Sequence, residues 1–410
     1  MKIARILSFV FALVMISTCF FTGCTTEEKM KITMWVSTTE GVKAFTLKQV
    51  EAFKEATGYD FDIEIETVGE GDAAGQVLSD LKSAPDIYWF AQDQLPRLVL
   101  GNALAKPGNA AADTIRANND PESVNAASVS GTIYAYPLTS DNGYFLYYDK
   151  SVITDPSSVE SIIEACANKS KYFAYEVQNA WIMASYFFAQ PVGSTTPLCN
   201  STWEYSADGK NPVSHADTFN SDNGLIAMRG LNALTTSGVW VNTQNDFSGT
   251  AAVVSGIWNY YTAVNQYGDN LGIAKLPTFT VDGTTYQLGS YKGCKLIGVK
   301  PQTDDTKAQI CAELAMYLTT EQAQLDRHYE FAWGPSNKNA QQVADIKEHP
   351  ALNALAAQNV YAQPQGVIPG EWWAEAGLLG EAAHADGVTL DTMKAALEAY
   401  QAKIDAMLVK

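Results

Sequence analysis

Two hydrophobic periods take turns along residues 31–100, and that alternation leaves few folds open. Residues 31–36 (KITMWV) form a β-prone run; 42–57 carry Phe45, Val50 and Phe53 at helical spacing, with Gly58 as a stop. Residues 61–67 (FDIEIET) then alternate strictly. A second helical stretch over 73–82 leads through Pro85 into 86–90 (DIYWF), and 95–100 starts another helix. Crossovers of this kind are right-handed, so the three strands are expected to lie parallel in one sheet. Open parallel sheets bind ligands in the crevice beyond the carboxyl ends of their strands. The loops 37–41 (STTEG) and 91–94 (AQDQ) are therefore candidates for the site. Trp89 and Phe90 alternate across the sheet, so only one of them can face such a crevice.

At 410 residues the chain exceeds what one hydrophobic core serves, and two domains are expected. Strand-like runs at 132–138 and 144–148 flank the polar stretch Thr139-Ser140-Asp141-Asn142-Gly143, which suits a crossing or hinge. Asp282-Gly283 between β-prone flanks predicts a hairpin over 278–287. A strand is expected over 289–299. Helical spacing covers 306–325 and 391–408, the latter with Met393, Leu397, Tyr400, Ile404 and Met407 on one face.

The first residues read as an address. Lys2 and Arg5 precede an uncharged run over 6–21, followed by Phe21-Thr22-Gly23-Cys24. That is a signal peptide with a lipobox-like end, and the run is shorter than the roughly 20 apolar residues of a spanning helix. Cleavage before Cys24 makes Cys24 the lipid-bearing first residue, with 24–30 as a tether and residence on the outer face of the cell membrane. The chain carries 27 basic and 45 acidic residues, net −18, which excludes nucleic acid as a natural partner. Beyond the leader its arginines are Arg97, Arg116, Arg229 and Arg327, too few to favour an anionic ligand. Nine Trp and 20 Tyr supply more polar-tipped flat surface than a core requires, which suits a neutral ligand. Cys166, Cys199, Cys294 and Cys311 have no C-x-x-C spacing, and the four histidines stand singly, so neither a metal nor a cofactor is expected. Buried thiols are the default, with a Cys166–Cys199 bridge left open.

The blocks ITMWVSTTEG (32–41), SAPDIYWFAQD (83–93), IYAYPLTSDNGYFLYYDK (133–150), VVSGIWNYYTAV (253–264), YLTTEQAQ (317–324) and WGPSN (333–337) occur in this order. In them the chain resembles the extracellular solute-binding proteins related to maltose-binding protein, the receptors of ATP-driven sugar importers. The resemblance implies an α/β, periplasmic-binding-protein-like fold: two α/β lobes with a ligand cleft between them and several hinge crossings. Lobe 1 would comprise 31–139 with 289–335, and lobe 2 140–288 with 336–410. It also implies a monomer that binds a maltodextrin-type oligosaccharide and hands it to the membrane permease. Phe90 stands where the family's first-lobe Trp stacks on sugar, and Asp93 where a carboxylate binds hydroxyls. Gln94 replaces the family's arginine. Thr39 and Glu40 fill the loop positions, and Asp141 or Asn142 the acidic contact at the crossing. Trp181 aligns with a stacking Tyr, preceded by Asn179 in place of a Glu. Trp258 matches the second-lobe platform, and either Trp372 or Trp373 the last one. Aromatics from both lobes are thus expected to meet over the ligand.

Two other readings compete. A secreted carbohydrate-active enzyme would also combine Trp with acids, but needs a placed carboxyl pair, and no nucleophile elbow, phosphate loop or metal motif accompanies them. A peptide or metal receptor of the same fold would show charged anchors or clustered His.

Overall fold

The computed structural model describes residues 29–206 and 211–409. The leader and Cys24 lie outside these residues. The expected alternation is present: β1 (Lys31–Val36), α1 (Val42–Thr57), β2 (Asp62–Thr67), α2 (Ala73–Ser79), β3 (Ile87–Ala91) and α3 (Leu95–Leu100). β1 pairs in parallel with both β2 and β3. The turn α1→β2 uses Gly58 at φ 76°, which lets its N–H close on Lys54 O.

These strands form one end of a ten-stranded sheet whose middle is built by two long strands, β4 (Tyr136–Asp149) and, much later in the chain, a strand over Ser290–Val299. The other end holds β5 (Tyr172–Ala174), followed by α4 (Ala180–Phe187), then β6 (Trp240–Val241) and β7 (Thr250–Gly256). With Ser290–Val299 as β8, the order along the main path is β6-β5-β7-β4-β8-β3-β1-β2, and two short strands lie off it, Leu271–Ala274 on β4 and Ala362–Pro364 on β8. β5, β6 and β7 are mutually parallel where they pair, while β8 runs antiparallel to β3 and β4.

The polar stretch 139–143 is not a loop between two strands, as its composition suggested, but the middle of β4. Tyr136 to Gly143 pair with β8, with register shifts that bend the ladder; Tyr144 to Tyr148 pair with β7 instead. One strand therefore serves both ends of the sheet. Past the switch the faces separate by twos: Phe145 and Tyr147 enter one core with Val253 and Phe247, and Tyr144 and Leu146 enter another with Phe173 and Leu231.

The hairpin falls where Asp282-Gly283 placed it, joining Thr278–Val281 to Thr284–Gln287, with φ 50° and 78° at the two turn residues. The helical stretch expected over 306–325 is two helices, α5 (Asp305–Leu318) and α6 (Glu321–Phe331). Thr320 separates them by capping α6, its hydroxyl accepting from Ala323 N. After α6 the chain stays tied to the first half: Ser336 Oγ donates to Asn119 Oδ1 at 2.9 Å and Gln341 Nε2 to Asp120 Oδ2 at 3.2 Å. α7 (Gly370–His384) and α8 (Leu390–Asp405) close the fold, α8 burying Met393, Leu397, Tyr400 and Ile404 as its spacing predicted, while Met407, expected on the same face, lies past the helix end and is partly buried. The four cysteines among the described residues are buried and unpaired, so the bridge left open between Cys166 and Cys199 is absent.

Candidate functional site

A cleft of about 870 Å³ opens between the two ends of the sheet. Its walls come from the carboxyl ends of parallel strands, as open-sheet geometry requires. β1 contributes Ser37, Thr38 and Thr39; β2 leads to Gly69–Asp72; β3 leads to Asp93, Gln94 and Arg97. On the facing wall β5 leads to Gln178, Asn179 and Trp181, β6 to Gln244 and Asn245, and β7 to Trp258. Asn142 of β4 and Lys295 of β8 form the floor, and Gln365, Gly370 and Trp373 close one side.

The aromatic wall is held firmly. Asn179 caps α4 by accepting from Trp181 N at 3.0 Å, and its amide donates to Glu176 Oε2 at 2.9 Å. Trp181 Nε1 donates to Gln365 Oε1 at 3.2 Å, and its ring meets Tyr144 edge-on at 4.6 Å and Trp258 at 6.0 Å. Trp258 folds back over Gly256: a Cβ at 256 would sit 2.0 Å from the indole, so only glycine lets the ring lie there. On the floor, Lys295 pairs with Glu70 at 3.1 Å, with its ammonium 4.5 Å from the Trp333 ring centroid and 5.7 Å from that of Trp258.

Asp93 is the acid most perturbed toward neutrality among those on the cleft. Its Oδ1 is enclosed without a hydrogen-bond partner. Burial pushes its carboxyl up to about 7, against the pull of Arg97 and of the Gln365 amide beside it.

Several expectations need correction. Phe90 is fully buried, packed on Tyr88 at 5.8 Å, and Trp89 is equally buried against Trp333 at 6.3 Å. β3 is an inner strand covered on both faces, so neither side chain reaches the crevice beyond its end. Trp372 is also fully buried, its Nε1 donating to Tyr400 Oη at 2.7 Å and Asp217 Oδ2 at 3.3 Å; its neighbour Trp373 lines the cleft. Asp141 is 1% exposed and accepts from Gly334 N at 2.6 Å, while Asn142, on the opposite face of the strand, lines the floor. Glu40 points to solvent, outside the lining that Thr39 joins. Gln94 lies at the wall but spends its amide on Ala74 N, at 2.8 Å, and on Gly71 O, tying the β2 and β3 loops together. With Phe90 in the core, the tryptophans of the cleft (Trp181, Trp258 and Trp373) all stand on the second half, and the expected meeting of rings from both halves does not occur.

Spacing had passed over Arg97, Glu70, Lys295 and Gln365. Arg97 could have been found, because it lies four residues after Asp93 on a helical segment. Lys295 had no sequence signal, since nothing in the sequence sets it apart from Lys292 in the same strand.

A family model for bacterial extracellular solute-binding proteins matches residues 48–354, well over half of the chain. The chain belongs to the bacterial extracellular solute-binding proteins. Solved structures agree on the fold of this solute-binding protein. One solved with acarbose is 26% identical, with TM-score 0.76, covering 92% of this chain and 99% of that one. The maltodextrin-binding protein MalE1 of L. casei BL23, solved without ligand, is 21% identical, with TM-score 0.72 and the same coverage. The maltose/maltodextrin-binding domain MalE from Bdellovibrio bacteriovorus, bound to maltotriose, is 16% identical, with TM-score 0.74, covering 92% and 100%. No curated protein sequence matches. Among the described residues of the solute-binding protein no helix is long and apolar enough to cross a membrane.

Proposed function

We propose that this solute-binding protein takes up a neutral oligosaccharide, of maltodextrin type, between two closing lobes and delivers it to the membrane subunits of an ATP-driven importer. The lobes are 31–139 with 289 to about 341, and the intervening and remaining segments. Cys24 serves as the lipid anchor on the outer face of the membrane, and the protein acts as a monomer without catalysis.

The observation that carries the reading is the division of labour across the cleft. Trp181, Trp258 and Trp373 give the second half's side of the cleft flat apolar faces, and Thr39, Asp93, Arg97 and the Glu70–Lys295 pair give the first half's side and the floor hydrogen-bonding edges. A pyranose has apolar C–H faces and polar edges, so it complements both walls at once. Stacking on an aromatic contributes about 1 to 3 kcal/mol per platform, and hydrogen bonds to charged groups about 1.5 to 3 kcal/mol each. Together these reach micromolar affinity, about −8 kcal/mol, after ordering costs. Neighbours of the same fold solved with acarbose and with maltotriose support the sugar class. Asn142 on the floor adds a further polar contact.

Calorimetry of the mature protein with maltotriose and maltotetraose tests the reading: binding without turnover is expected. Failure of every neutral oligosaccharide in a thermal-shift panel would overturn it, as would hydrolysis of the sugar.

A further inference from the structure

Resting on the sugar reading, we propose that Arg97 is a specificity-determining ligand residue: it acts with Asp93 to grip two adjacent hydroxyls, in place of the donor that Gln94 cannot supply. The short turn Gln92–Gln94 runs directly into α3, so the backbone is helical from 92 to 100. Residues four apart share a helix face, and adjacent residues do not. Asp93 and Arg97 therefore turn toward the cleft together and Gln94 turns inward, where it is 2% exposed and fully engaged.

Arg97 is free to act. Arg229 is doubly bonded to Asp282 at 2.5 and 2.6 Å, Arg116 pairs with Asp113 at 3.3 Å, and Arg327 donates to Leu318 O at 2.8 Å. Among the described residues the Arg97 guanidinium has no such partner, and it is the arginine that lines the cleft. It reaches across toward the second half: a Cβ at position 370, the first residue of α7, would lie 3.3 Å from its Nη1. Glycine there leaves room for the planar head.

The chemistry follows from the pair. A sugar hydroxyl is both donor and acceptor. The guanidinium fork offers parallel N–H donors to two neighbouring oxygens, and the carboxylate of Asp93, which lines the cleft beside it, accepts one of their protons. The ligand class is an oligosaccharide with an unsubstituted vicinal diol on the unit nearest the first half.

The experiment is calorimetry with maltotriose on the wild type, Arg97→Met and Arg97→Lys, repeated from pH 5.5 to 8.5. Arg97→Met is expected to weaken binding at least tenfold. It should also move the midpoint of the pH dependence upward, because the cation beside Asp93 is gone. Arg97→Lys should restore the midpoint but not the affinity, because an ammonium lacks the fork. Wild-type binding with Arg97→Met within twofold, or with an unmoved midpoint, overturns this inference alone. A wild type that does not bind maltotriose sinks the sugar reading and this inference with it.

Discussion

Trp258 and Gly256 act as one unit, since the indole rests where a side chain at 256 would be, 2.0 Å from the added carbon. Gly256 has an extended backbone, φ −104°, that any residue adopts, so the need for glycine is purely steric. Gly256→Ala should therefore displace the ring and weaken sugar binding about as much as Trp258→Ala, at least tenfold by calorimetry. Trp258→Ala should leave the melting temperature of the free protein nearly unchanged. Equal affinity in the Trp258→Ala variant would remove that residue from the site. Asp93 yields a pH prediction. Its carboxyl sits near 7 in the folded chain, above its usual 3.8, so burial favours the protonated form. That contribution to stability is complete below the ordinary carboxylate range and fades as pH rises through 7. Asp93→Asn should therefore melt higher than the wild type at pH 8 and at the same temperature near pH 4. Sugar hydroxyls donating to the carboxylate favour the charged form, so wild-type affinity should climb with pH, by at most about tenfold per unit, and level off above 7. A flat affinity profile would take Asp93 out of ligand contact.

At the scale of elements, α7 separates structure from binding over two consecutive residues. Trp372 is locked to Tyr400 and Asp217 inside the second core, while Trp373 meets the cleft at right angles to it, 87°. Trp372→Phe should cost about 1 to 3 kcal/mol in chemical denaturation and leave affinity within twofold; Trp373→Ala should do the reverse. Such pairs also show how far the sequence could be read. The first three strands, their parallel order and two of the loops that line the cleft were legible, because alternation and turn chemistry are local. Which of two neighbours faces the ligand was not: Asp141 against Asn142, Trp372 against Trp373 and Gln94 against Arg97 are decided by the phase of a strand or helix relative to its packing. Phe90 failed for a related reason, since an aligned position does not say whether its strand is covered on both faces. The Thr320 cap, a threonine preceding Glu321, was visible in the sequence but was absorbed into one long helical run.

For the whole molecule, placing every cleft tryptophan on one half would make the proposed closure asymmetric. On that reading the ligand rests on the rings of the open second half, and the polar first half then completes its hydrogen bonds. A ligand shifts such an equilibrium only through better binding to the closed form. Saturating maltotriose should therefore shrink the radius of gyration in X-ray scattering, and an unchanged radius would argue against closure. The hinge itself has a further consequence. β4 takes β8 as its partner up to Gly143 and β7 from Tyr144 onward. Neither half can melt without stripping hydrogen bonds from a strand that the other half is still using. Heating should therefore give a single calorimetric peak, and a gene fragment encoding one half alone should yield an aggregating product with a naked sheet edge.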